Sequence, residues 1–361
     1  MKKFVALFLV LTMALSLAAC GSSGSNSPVA TSKADSTEVV SGSIASTDDL
    51  PVLRVAAMPT ITSLPTYYMQ KNGLDTAHGF KMEVTMFATG APMNEALAAD
   101  LWDVGAMGAA AVTGVANYDE MIIGEVLEST DGQGVFVKPD SPITSATDYN
   151  PSFPTVLGSP ETVKGITILT PVGTAQHFTV LKWLEKLGLD ATDVNIVNMD
   201  TVQAYQALQA GQCDAVSLNV PTFFDALNDG MVQVGNLADL GTRYVDMVVA
   251  NRKAVEGKPE LVQAYMDALL EANEALQTNQ EMATDLLVEF LKENGSETTR
   301  ENCAADLGRA QFVLKADWKD REIGRFATEL GEFYVSLGQL DASAIDKFDT
   351  NVIDTFVQAY K

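Results

Sequence analysis

Small polar residues collect at two points in this chain where a strand-like run gives way to a helix-like one. One is Thr170-Pro171-Val172-Gly173-Thr174-Ala175-Gln176; the other is Met58-Pro59-Thr60-Ile61-Thr62-Ser63. A strand that feeds a helix through such a loop aims unpaired backbone N–H groups at one point, which suits a small ligand, above all an anion or a carbonyl. Thr174 offers a hydroxyl to cap the helix that follows it, and Ser63 offers one to a helix with Pro65 in its first turn. The same residues also describe an ordinary strand-to-helix connection in any α/β protein. No catalytic set stands beside them. The chain has no G-x-S-x-G elbow and no phosphate-binding Gly-Lys loop, and with only His78 and His177 a histidine-rich metal site is excluded. Neither a cofactor nor a metal is expected. A formal charge of −24 argues against nucleic acid and against lying on anionic lipid.

The elements that position these loops follow one plan twice. In the first pass Val52 to Ala57 reads as a strand, and a helix after Ser63 ends at Gly73. A second strand covers Lys81 to Phe87, the loop Ala88-Thr89-Gly90-Ala91-Pro92 leads into a helix carrying Ala96 and Leu97, and a third strand runs from near Asp103 to Met107-Gly108. In the second pass Ile166 to Leu169 is the strand. A helix from Ala175 places Val180, Leu181, Leu184 and Leu187 on one face, with Gly188 at its end. A strand at Val194 to Val197, a helix carrying Ala207 and Leu208, and a strand from Asp214 to Asn219 complete it. At an offset of 111, Ala96-Leu97 meets Ala207-Leu208, Asp103 meets Asp214 and Gly108 meets Asn219. Trp102, after Asp100-Leu101, stands where the second pass has a turn at Gly211, so the first-pass turn is expected to differ. Each pass reads as a small open α/β sheet, and such sheets bind ligands beyond the carboxyl ends of their strands.

The start of the chain carries an address. Lys2 and Lys3 precede an apolar run from Phe4 to Leu17, and Leu17-Ala18-Ala19-Cys20-Gly21 follows. This resembles a bacterial lipoprotein signal, which implies removal of residues 1–19 and a lipid on Cys20. From Gly21 to about Asp49 the chain is Ser, Gly, Thr, Asn and Ala with scarcely any large apolar side chain, so it cannot build a core. As a flexible coil of about 30 residues it would span roughly 30 Å, a tether that holds a body just off a membrane.

The body exceeds what one core usually holds, so two lobes are expected. The boundaries fall at 51–130 with 241–361 for the first lobe and 131–240 for the second. Ser129-Thr130-Asp131-Gly132-Gln133-Gly134 is a glycine-rich connection suited to a hinge, and Tyr244 to Ala250 is the return strand. Residues 139–163, with five prolines, form a long irregular connection. From Pro259 onward the periodic stretches read as amphipathic helices packed on the outside of the first lobe. Cys213 and Cys303 then lie in different lobes and are expected to stay unpaired.

The whole resembles a substrate-binding lipoprotein of an ABC importer, in the nitrate/sulfonate/taurine group that also takes in binders of thiamine-pyrimidine precursors. LRVAAMPTITSLPTYYMQKNGL, FATGAPMNEALAADLWDVGAMG and KGITILTPVGTAQHFTVLKWLEKLGLDATDVNIVNMD running on to ALQAGQCDAVSLNVP carry the resemblance, over about residues 52–250. It implies a two-lobed type II periplasmic-binding-protein fold with a cleft between the lobes. It also implies a small polar ligand, delivery to a membrane permease with its separate ATPase, attachment to the membrane through the N-terminal lipid only, and a monomer. Carried over motif by motif, the site is Met58, Thr60, Thr62 and Ser63; Thr89 and Gly90; Met107 and Gly108; Thr170, Gly173, Thr174, Ala175 and Gln176; and Asn219. Asp131, His177 and Asp246 are weaker candidates, and Tyr67 or Tyr68 could supply an aromatic wall. None of these loops carries Lys or Arg, so a neutral or zwitterionic ligand fits as well as an oxyanion. A ligand sensor for a membrane receptor would share these features; an enzyme on the same architecture is the other alternative, but it would need a catalytic set that the sequence does not show, so no enzyme is expected.

Overall fold

The computed structural model describes residues 49–296 and 298–361; the signal, Cys20 and nearly all of the tether lie outside them. The first pass folds as β1 (Val52–Ala57), α1 (Leu64–Asn72), α2 (Leu74–Ala77), β2 (Lys81–Met86), α3 (Gly90–Ala98), β3 (Val104–Met107) and α4 (Ala110–Tyr118). β4 (Glu120–Glu128) then leads through residues 129–132 into β5 (Gln133–Val137). The second pass comprises α5 (Pro160–Val163), β6 (Thr167–Thr170), α6 (Ala175–Lys186), β7 (Asn195–Asn198), α7 (Thr201–Gln209), β8 (Ala215–Asn219), α8 (Thr222–Asn228) and β9 (Val232–Asn236). After β10 (Val245–Asn251) come α9 (Arg252–Gly257), α10 (Pro259–Thr278), α11 (Gln280–Glu293), α12 (Arg300–Arg309), β11 (Gln311–Phe312), α13 (Arg325–Ser336) and α14 (Phe348–Asn351).

Two sheets result. One has the order β11-β4-β10-β3-β1-β2 and the other β7-β6-β8-β5-β9. In each, the first strand of its pass lies between the second and third and runs parallel to both. Antiparallel strands complete them: β10 sits between β3 and β4, and β5 between β8 and β9. The chain therefore crosses from the first sheet to the second after β4 and returns after β9. The crossings are bonded to each other, with Ser129 N donating to Tyr244 O at 3.0 Å and Leu237 N to Gln133 O at 3.3 Å.

The repeat extends to individual hydrogen bonds. Asp103 N donates to Arg54 O at 2.8 Å while its Oδ2 accepts from Arg54 N at 2.9 Å. Asp214 does the same to Thr167, at 3.1 and 2.8 Å. Each aspartate thus locks the entry of a third strand onto the first. The turn before it also has one form in both passes, contrary to the expectation drawn from Trp102. Asp100 adopts φ 57° where Gly211 adopts φ 71°, and Leu101 N→Ala96 O (3.0 Å) matches Gln212 N→Ala207 O (2.9 Å). A short polar side chain tolerates the left-handed region better than most, and here Asp100 Oδ1 is also held by Arg54 and Asn251. Trp102 itself is fully buried, its Nε1 donating to Met93 O at 2.8 Å.

Apolar faces close the lobes. Leu53, Val55 and Val104 pack with Val262, Tyr265 and Leu269 of α10, which lies on the first lobe as its periodicity predicts. In the second lobe Ile168 and Val135 pack on Val180, Trp183, Leu184 and Leu187, and Gly188 follows α6 at φ 69°. The last helices do more than cover an outer face. Phe326, Leu330 and Tyr334 of α13 share one apolar cluster with Phe178 of α6 and with Leu237, so the C-terminal segment bridges to the second lobe. Cys213 and Cys303 are both unpaired. No helix among the described residues is long and apolar enough to cross a membrane.

Candidate functional site

The two crossings floor a cleft of about 270 Å³. The loop after β1 supplies Thr60 and Thr62, the end of β8 supplies Asn219, and the return crossing supplies Tyr244 and Asp246. Thr60 and Asn219 are exposed, while Thr62 and Asp246 are buried at the base. Ser129 and Gln133 of the outgoing crossing complete the floor, and α12 forms a side wall with Cys303, Asp306 and Arg309.

Several of these groups are held by one another. Burial pushes the Asp246 carboxyl up to about 7; a hydrogen bond from Thr62 and the charge of Arg309 oppose that rise, and Asp306 adds to it. Burial likewise raises Asp306 despite its ion pair with Arg309. Arg309 Nη1 donates to Ser129 O at 3.2 Å, tying α12 to the crossing, and its Nε is buried without a partner. Burial raises the Tyr244 hydroxyl, which approaches Ala109 N at 3.4 Å and is hydrogen-bonded to the Gln133 side chain. The other end of that amide, Gln133 Oε1, is buried and has no partner. Gly108 fits under this group only because it lacks a side chain: a Cβ there would lie 2.3 Å from Tyr244 Oη and 2.6 Å from Asp246 Oδ1.

The remaining sequence-derived candidates divide by where they sit. Ser63 lies just beneath the first loop, its Oγ accepting from Met58 N at 2.9 Å rather than capping α1, so both residues brace the loop. Met107 is fully buried, and Gly90 packs against Ala110 beside the exposed Thr89. The second-lobe loop does not line the cleft. Thr174 is not a side-chain cap; its hydroxyl bends back to donate to Pro171 O at 2.6 Å. His177 acts there instead. Its Nδ1, one helical turn on, accepts from Gly173 N at 3.2 Å, and burial lowers its pKa, favouring the neutral ring this bond requires.

Ala175 is buried at the start of α6. Gln176 is satisfied internally by Thr201 and Ser217 O, and Thr170 by Ser217. The C-terminal segment covers this loop: Phe333 presents its ring 5.9 Å from that of His177 and 4.9 Å from that of Phe178, and a Cβ on Gly173 would lie 2.6 Å from Gln339 Nε2. Asp131 is exposed and outside the cleft. Tyr67 and Tyr68 pack toward α10 and α11, with Tyr67 Oη donating to Glu293 at 2.8 Å; the cleft's aromatic is Tyr244.

Sequence reasoning missed Ser129, Gln133 and Tyr244, which flank the crossings, and the whole α12 wall. The predicted loops carry no basic side chain, but the α12 wall adds Arg309 to the cleft. A second hollow, of about 320 Å³, lies beside α6 and α13 and is larger. Most of its charges are paired, as in Lys182–Glu185 (3.0 Å) and Arg325–Glu329 (3.0 Å), and among the described residues it contains none of the buried unpartnered polar atoms that the cleft holds. The cleft is therefore the better ligand site.

Residues 47–290 match the model of the NMT1-like family. The chain belongs to the NMT1-like family. A Brachyspira hyodysenteriae protein, provisionally named an ABC transporter periplasmic binding protein, is 38% identical over 307 residues, covering 85% of this chain and 89% of that one. The periplasmic aliphatic sulphonate binding protein SsuA of Escherichia coli has the same fold, with a TM-score of 0.67 at 18% identity over 84% of this chain and 92% of its own. The periplasmic nitrate-binding protein NrtA of Synechocystis PCC 6803 gives 0.62 at 13% identity over 86% and 88%. The architecture of this NMT1-like chain is thus the two-lobed type II fold of periplasmic binding proteins, with the cleft where the lobes meet.

Proposed function

We propose that the protein is an extracytoplasmic solute-binding protein that captures one small polar molecule between its lobes and delivers it to an ABC import permease driven by a separate ATPase. The observation that carries this reading is the cleft itself. Loops from both sheets meet at two mutually hydrogen-bonded crossings over buried polar groups that lack partners. The 38% identical relative supports the transport role. On this reading residues 51–130 and 241–361 form the first lobe and 131–240 the second, and the crossings at 129–132 and 237–244 act as the hinge. Cys20 carries a lipid after loss of residues 1–19, residues 20–50 tether a monomer to the membrane, and no catalysis occurs. Ligand contacts come from Thr60, Thr62, Asn219 and Asp246, with Tyr244, Gln133 and the α12 wall. The second-lobe loop at Gly173 to Gln176 joins them only if the C-terminal segment moves aside.

Thermal melts of the full chain against a panel of small solutes, with each solute recovered and analysed, test the reading. A concentration-dependent rise in Tm with the solute recovered unchanged is expected. Chemical conversion of the solute, or no rise with any of them, refutes it. Cys20→Ala should release the protein from the membrane fraction, and retention there would refute the lipid anchor.

A further inference from the structure

The charges in the cleft do not suit an oxyanion. Arg309, the basic group of its wall, is ion-paired with Asp306 and donates to Ser129 O, so its charge is compensated and only its buried Nε stays unpartnered. Among the described residues Asp246 forms no ion pair, although the charge of Arg309 acts on it, and it stands at the base with only 5% of its surface exposed. Around it are Thr62, Tyr244, Gly108 and, from α12, Asp306 and Arg309. Gln133 is 7% exposed, and its unpartnered Oε1 is a second buried acceptor on the same floor. A buried acceptor without a donor costs free energy until something donates to it, and a buried carboxylate calls for a cation or a strong donor. Sulfonate and nitrate bring acceptors only.

We infer that this cleft recognises a ligand through a protonated nitrogen or N–H group that donates to Asp246 and Gln133, and that it rejects sulfonate and nitrate. The inference rests on the solute-capture reading and names the chemical class that the cleft selects. Asp246 acts as the specificity group and Tyr244 as a flat wall beside the donor end. Cationic heads over an aromatic face gain a further attraction there. The Arg309–Asp306 pair fixes α12 against the crossing and leaves Asp246 with a hydrogen bond from Thr62 but no ion-pair partner of its own.

Titration calorimetry on the full chain with putrescine, agmatine and cytosine as nitrogen donors, and with propanesulfonate and nitrate as anions, separates the outcomes. At least one donor is expected to bind, at least tenfold more weakly to Asp246→Asn and severalfold more weakly to Gln133→Leu. Neither anion should bind the unaltered chain. Binding of propanesulfonate or nitrate overturns the inference and leaves solute capture standing, as does a donor that binds Asp246→Asn equally well. Silence from all five overturns both. Because either variant could lose its fold, its thermal melt is recorded alongside, and the anion result on the unaltered chain decides without them.

Discussion

The repeated aspartate provides a controlled test of burial, because Asp103 and Asp214 make the same backbone bonds in different surroundings. Asp103 has 3% of its side chain exposed and accepts from Arg54 N, from Arg54 Nη2 at 2.7 Å and from Lys258 Nζ at 3.0 Å. Asp214 is exposed, and its carboxylate accepts from Thr167 N alone at 2.8 Å among these bonds. Replacement by Ala removes a strand-locking bond in both lobes, worth about 1 kcal/mol each. At Asp103 it also strips a buried carboxylate from two cations. Breaking a fully buried pair costs about 3–5 kcal/mol, but Arg54 and Lys258 are each more than a third exposed and regain water, so a total of about 3 kcal/mol is expected. Urea unfolding of Asp103→Ala and Asp214→Ala, followed by far-UV circular dichroism at pH 7, measures the difference. Burial tends to raise the Asp103 pKa, yet the bonds from Arg54 and Lys258 outweigh it and hold the pKa low. Its contribution is therefore present above the unfolded value and lost as pH falls through the lower folded one, so the gap between the variants should close below about pH 4. Equal losses in the two variants at pH 7 would refute the burial argument.

Other perturbations address the cleft. Burial pushes Asp246 up to about 7 in the fold against about 4 unfolded, so the ligand-free protein should lose stability as pH rises from 5 to 8, by at most about 2.7 kcal/mol over that window. Asp246→Asn, compared by chemical denaturation at pH 5 and pH 8, should be the more stable protein only at the higher pH; a constant difference would assign the effect elsewhere. Gly108→Ala pushes a methyl into Tyr244 and Asp246, and it should lower Tm and weaken any solute bound at the cleft by more than tenfold in calorimetry. Phe333→Ala removes two edge-to-face ring contacts between α13 and the second lobe, together worth about 1–3 kcal/mol. Faster hydrogen exchange across residues 173–180, with exchange in the first sheet unchanged, is the expected result.

What could be read from the sequence was what local pattern determines. The strands of both passes, the α6 face and its glycine end follow from spacing and breakers within a dozen residues, and so does the offset that aligns Asp103 with Asp214. The misreadings share a cause: each required knowing which group comes back through space. Thr174 sits at the cap position, but its hydroxyl reaches Pro171 O while His177, four residues on, takes the Gly173 N–H; both are residues that can bond to that loop, and only tertiary packing against Phe333 selects between them. Asp100 performs the turn that Gly211 marks openly, because Arg54 and Asn251 hold its side chain from distant strands. The α12 wall had no local signal at all. Asp306 and Arg309 three residues apart look like a solvated surface pair, and Cys303 with Leu307 look like core. That the same helix turns its acid and its arginine toward the crossing depends on how α10 to α12 dock, which periodicity does not encode. Counting basic residues on the loops alone therefore missed the cation that α12 brings to the cleft wall, where Asp306 pairs with it.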